Sequence, residues 1–87
     1  MASNEQIGVV SNYFEHVGVA VVKLSGELKV GDAIKIVGGE VDFDMPVESI
    51  EIDREHVDLA KKGDDVGIKV KEKVRKDYKV YKIVSEE

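Results

Sequence analysis

Nine of the thirteen Lys and Arg residues fall late in the chain, at Lys61, Lys62, Lys69, Lys71, Lys73, Arg75, Lys76, Lys79 and Lys82. Cationic groups at this density can neutralise phosphates or meet an acidic protein face. The same span holds four acids, whereas residues 1–60 hold four basic and twelve acidic residues. If one strand runs through 69–73, then Lys69, Lys71 and Lys73 share a face, because strand side chains alternate. Tyr78 and Tyr81 stand among these lysines. That interleaving suits stacking on bases, and it equally suits a ring buried at a sheet rim with its hydroxyl wet. The tract also reads as a solvated face that offsets the acidic part of the chain and keeps a strand edge from pairing.

Other residue types offer less chemistry. Glu40, Asp42, Asp44, Glu48, Glu51 and Asp53 form an acidic group. It lacks the Gly and Glu offsets of a calcium loop, and alternation turns its carboxylates outward. His16 and His56 are far apart, and the chain has no Cys. Zinc-ligand spacing is therefore missing, and no metal or cofactor is expected. No G-x-S-x-G elbow and no G-x-x-x-x-G-K-[ST] loop occurs, so neither that type of hydrolase nor GTP binding by this chain is expected. The expectation is a chain that is not an enzyme.

These residues need a scaffold. At 87 residues the sequence is expected to form one domain over 1–87, with an ordered core about 6–84. Hydrophobic residues make up 43% and charged residues 36%, which is globular rather than disordered composition. The net charge of −5 excludes a uniformly basic coat but not one basic face. The N-terminus lacks a signal-peptide pattern, and no lipidation signal stands at either end. The longest nearly apolar run, Val17 to Val22, is six residues, against about 20 for a membrane helix. The expected location is cytoplasmic, with no membrane contact.

Val and Ile dominate the apolar set and Gly punctuates it, which favours strands. Strands are predicted over 6–14, 17–24, 33–37, 41–53 with an interruption at Pro46, 65–71 and 78–84. Ala20, Val22, Leu24, Ile34, Ile36, Val66, Ile68 and Val70 are predicted inward. Gly38-Gly39 is read as a tight reversal needing positive φ. Residues 54–62 carry a weak helical pattern that ends at Gly63. No internal repeat of 20–50 residues is visible. The fold expected is all-β: a small closed six- to seven-stranded Greek-key barrel with one short helical turn near 55–62.

Two segments then become informative. Leu28 to Ile34 has the form L-x-x-G-D-x-I, and Ala60 to Ile68 has the form A-x-x-G-D-x-V-G-I. Their order and spacing resemble the second, β-barrel domain of translational GTPases such as elongation factor Tu, across about residues 6–84. In that family an Arg and an Asn near the second motif help to hold the aminoacyl end of transfer RNA; the matching positions are Lys61 and Asp65. Lys keeps the charge without the bidentate fork, and Asp repels phosphate. The resemblance implies a non-catalytic translation-factor-like module that binds tRNA, rRNA or a ribonucleoprotein partner. The expected contacts are Lys61, Lys62, Lys69, Lys71, Lys73, Arg75, Lys76, Lys79 and Tyr81. A second resemblance, through Val41-Asp42-Phe43-Asp44 and Val47-Glu48-Ser49-Ile50, is to the small barrel that ends some U32-type peptidase-like proteins. It implies the alternative: an accessory, protein-binding module of a separately encoded enzyme, docking through an apolar wall that includes Val19 and Val21.

Overall fold

The computed structural model describes residues 2–39 and 41–85. Alternation of apolar and polar residues resolves into ten strands among them: β1 (Ala2–Phe14), β2 (Val19–Leu24), β3 (Leu28–Lys29), β4 (Ala33–Gly38), β5 (Val41–Pro46), β6 (Ile50–Ile52), β7 (Glu55–Val57), β8 (Leu59–Ala60), β9 (Asp65–Lys69) and β10 (Lys79–Ser85). All ladders are antiparallel, and eight strands form one sheet in the order β5-β4-β10-β1-β2-β9-β6-β7. β3 and β8 pair separately. The fold is all-β. The expected closure does not occur: β5 and β7 are the two ends of the sheet and do not pair with each other.

The inward residues follow the predicted period. Ala20, Val22, Leu24, Ile34, Ile36, Val66, Ile68 and Val70 are all buried in one apolar cluster with Ile7, Val10, Leu28 and Val80. A one-residue slip of any strand would turn its buried set to water, so this cluster fixes the register. Among the described residues no polar or charged side chain is buried. Pro46 ends β5, which has β4 on one side only. An edge is where a residue without an N–H can be tolerated.

The helical turn expected near 55–62 is absent. β6 and β7 form a hairpin instead, with Ile52 opposite Glu55 and Asp53-Arg54 between them. Asp53 (φ 53°) and Arg54 (φ 67°) both take positive φ. A two-residue hairpin of type I′ requires this at both positions. Asp tolerates it fairly well, but Arg is rarely found there. The turn therefore lacked the glycine that announces it.

The two G-D segments are built alike. Lys29 N–H donates to the Asp32 carboxylate at 3.0 Å, and Lys61 N–H donates to the Asp64 carboxylate at 2.9 Å. Gly31 and Gly63 have φ of 99° and 94°. Each turn then clamps a neighbouring segment with a pair of backbone bonds. Gly31 N–H reaches Val47 O and Val47 N–H reaches Asp32 O; Gly63 N–H reaches Leu24 O and Leu24 N–H reaches Asp64 O. β3 and β8 bring the two motifs side by side, with Leu28 opposite Ala60. The same short motif is thus used twice, at Gly31-Asp32 and again at Gly63-Asp64.

Candidate functional site

The structure divides the basic tract into separate patches. β9 ends at Lys69, so Lys69, Lys71 and Lys73 do not form one strand face. Lys69 and Lys71 line a groove beside Met45 and Pro46, and the Lys71 ammonium stands 6.0 Å from the centroid of the Phe43 ring. Lys61 and Lys62 are exposed on the second G-D turn. Lys79 and Tyr81 flank the buried Val80 on β10 and face outward, opposite Val37 and Lys35 of β4. Lys73, Arg75 and Lys76 lie on the 70–78 connection and line a different groove, with Tyr13, Val74 and Tyr78.

That groove, about 670 Å³, is the larger candidate. Val74 is buried, and Tyr13 and Tyr78 are half-buried against the core. Lys73 Nζ is 2.7 Å from Glu15 Oε1 across its mouth. The Lys73 hydrogen bond and charge hold the Glu15 carboxyl below the usual carboxylate range. Reciprocally, Glu15 raises the Lys73 ammonium above the usual lysine range, first by hydrogen bonding and then by charge. Both causes are an opposite charge favouring the ionised form. Arg75 and Lys76 remain exposed. Sequence reasoning placed these cations but missed their company. Tyr13 is sixty residues away in sequence and reaches the groove only through the pairing of β1.

A second surface is apolar. Phe14 is 42% and Val17 51% exposed, unusually open for such side chains. They line a groove with the half-buried Val19 and Val21 on the outer wall of β2. Gly67 pairs with Val21 and leaves the floor low; a Cβ there would stand 3.3 Å from Val19 Cγ1. Glu51, Asp53 and Asp65 stand at its rim, with Arg54 among them.

The acidic group behaves as a solvated face. Asp42 and Asp44 point outward on β5 while Phe43 and Met45 are buried. Lys35 Nζ lies 3.4 Å from Asp42 Oδ1. Glu40 lies outside the described residues. Among the described residues no group of three His, Asp or Glu side chains is placed to hold a metal ion. Nor is any helix long and apolar enough to cross a membrane.

No family model matches the chain. A protease of Methanocaldococcus jannaschii, itself uncharacterized, is 39% identical over 77 residues, covering 87% of this chain and 19% of that protein. A collagenase of Porphyromonas gingivalis is 40% identical over 78 residues, covering 87% of this chain and 22% of that protein. The chain therefore spans about a fifth of the length of these curated relatives. Among solved structures, the C-terminal domain of a U32 peptidase-like protein from Geobacillus thermoleovorans matches with a TM-score of 0.84 at 26% identity. The match covers 90% of this chain and 91% of that domain. Its selenomethionine variant gives 0.84 at 25%, covering 87% and 96%. This chain is similar to a U32 peptidase C-terminal domain.

That similarity overturns the first resemblance drawn from the sequence. The neighbours are U32 domains and proteins named protease or collagenase, not translation factors. The physical reason lies in the two G-D motifs. Each builds a turn whose Asp carboxylate is occupied by a backbone N–H of that turn. Such a device serves any small curled sheet, and it carries fold geometry rather than function. Binding of tRNA, rRNA or a ribonucleoprotein, which rested on that resemblance, goes with it. The broken basic stripe agrees, since it gives no continuous track for a phosphate backbone.

Proposed function

We propose that this chain is a non-catalytic accessory module of a U32 peptidase-like protein, working in the cytoplasm through contact with a protein partner. The observation that carries this reading is the two-way coverage with the Geobacillus thermoleovorans C-terminal domain, 87% of one chain against 96% of the other. The larger part of the curated relatives lies outside the matched region. The partner in this reading is the catalytic part of such a protein. The contact surface is the apolar groove of Phe14, Val17, Val19 and Val21. Exposed apolar side chains grouped on one outer wall are what a protein interface needs at its centre.

The test is isothermal titration calorimetry of this chain against a purified U32-type catalytic polypeptide from the same source. The expected result is association that changes little between low and high salt. Phe14→Ser with Val17→Ser should weaken it roughly tenfold, the loss of about 1.4 kcal/mol. Failure to associate, or peptide hydrolysis by the purified chain alone, would overturn the reading.

A further inference from the structure

Three glycines lie within described strands, and crowding explains two of them. A Cβ on Gly8 would stand 2.8 Å from Lys23 O, and one on Gly38 would fall in the ring of Tyr78. Gly67, in the middle of β9, is different. It does not take positive φ. The ladder of β9 with β2 runs through it without a register shift, so no bulge accounts for it. A Cβ there would stand 3.3 Å from Val19 Cγ1, and its next neighbour would be Glu51 O at 3.9 Å. The Val19 side chain is half-buried on the outer wall and can give by that small amount. Glycine inside a strand weakens it. With bulge, turn and crowding set aside, its remaining use is close approach by another chain.

The position of Gly67 says where that approach is made. Gly67 pairs with Val21 on one side and Glu51 on the other. Val66 and Ile68 on either side are buried inward. The missing side chain therefore leaves a recess on the outer wall, in the floor of the groove of Phe14 and Val17. On the rim, Glu51, Asp53 and Asp65 stand against Arg54 alone. Lys23, in register with Asp65, stands outside the lining, and Lys69, in register with Val19, lines the groove beside Met45.

We propose that the recess over Gly67 receives one bulky apolar side chain of the catalytic polypeptide, leucine or an aromatic, with a lysine or arginine beside it held at the acidic rim. This rests on the accessory reading and adds what that partner must carry. The apolar side chain supplies most of the affinity, by leaving water against Phe14, Val17, Val19 and Val21. The cation meets an exposed rim, so it orients the segment and adds little. Association therefore still changes little with salt.

The experiment is calorimetric titration of the whole chain, and of its Gly67→Val and Gly67→Ala variants, with the purified U32-type catalytic polypeptide from the same source. Gly67→Val should lose affinity by about tenfold or more, as the recess is filled, and Gly67→Ala by less. Both variants should melt, by circular dichroism, at or above the temperature of the unsubstituted chain. That combination separates a recess from a glycine the fold needs. Glu51→Lys should weaken binding by roughly threefold, by setting a cation where the partner's belongs. Full affinity in both Gly67 variants, with Phe14→Ser and Val17→Ser together still weakening the complex, would overturn the recess and leave the accessory reading standing. A lowered melting temperature in both Gly67 variants would overturn it too, by giving the glycine a structural cause. Equal or tighter binding by Glu51→Lys would overturn the cationic neighbour. Self-association of the chain alone, lost in Gly67→Val, would make a second copy the occupant and overturn the partner named here. No association of the unsubstituted chain would overturn both readings together.

Discussion

The ring of Tyr78 occupies the place where a side chain on Gly38 would stand: a Cβ built there falls inside van der Waals contact with Tyr78 Cδ1 and Cγ. Gly38 itself does not need a positive φ, whereas Gly39, at φ 54°, does. The two glycines therefore have different causes. One gives the β4–β5 turn its conformation, and the other makes room for an aromatic wall.

Gly38→Ala should therefore destabilise by about 1–3 kcal/mol, the usual cost of overpacking. In a Tyr78→Ala background the same change should cost much less, because the clashing ring is gone. A double-mutant cycle by urea denaturation reads the coupling directly. Equal costs in both backgrounds would show that the ring lies elsewhere.

Asp32→Ala and Asp64→Ala should each cost about 0.5–2 kcal/mol, by analogy with the loss of a side-chain cap on a backbone N–H. Asp32 should be the more costly of the two. Its Oδ2 also lies 3.6 Å from Lys82 Nζ, in a half-buried pair, while the Asp64 carboxylate makes only the turn bond among the described residues. Chemical denaturation of the two single variants gives the order. Asn at either position should recover much of the loss, because its amide oxygen still accepts the bond.

Arg54→Gly should stabilise the chain by about 1 kcal/mol, since glycine accepts the left-handed conformation that Arg is forced into. The side chain is exposed, and no ion pair of its own is seen among the described residues. A rise in melting temperature without loss of cooperativity is the expected result. A fall would mean that the Arg54 side chain makes a contact worth more than the backbone relief.

Much of the core was legible because strand periodicity is a short-range signal. Ile34 and Ile36, or Val66 and Ile68, declare their face by the polar residue between them. The β6–β7 hairpin was not legible, because its turn uses Asp53-Arg54 where Asn-Gly or Asp-Gly would have announced it. Val57, Leu59 and Ala60 then fell by chance at helical spacing. Both G-D segments were visible as like motifs, but their matching clamps, the first on Val47 and the second on Leu24, show only in the structure. The basic residues were counted correctly and grouped wrongly. Their grouping depends on where β9 ends, and on the 70–78 connection carrying Lys73 towards Glu15. The apolar exposure of Phe14 and Val17 also depends on tertiary structure, since the same residues in the interior would have read identically.

The Glu15–Lys73 pair gives a prediction with a sign. Glu15 is held below the usual carboxylate range by the Lys73 hydrogen bond and charge. A depressed carboxyl contributes stability that is present above its unfolded pKa and is lost as pH falls through its folded value. Lys73 is raised by the same contact, so its contribution is present below its unfolded pKa and is lost as pH rises through its folded value. The pair is therefore complete across the neutral range and fails at both ends. Both groups are exposed, with side-chain accessibilities of 77% and 68%, so salt should screen the effect and the global stability should scarcely move. The readout belongs at the residue: the side-chain carboxyl carbon of Glu15 followed by NMR from acid to neutral pH. In Lys73→Gln its midpoint should rise towards the ordinary glutamate value, and raised salt should move the unsubstituted chain in the same direction. A midpoint indifferent to both changes would show that Lys73 is not held at Glu15.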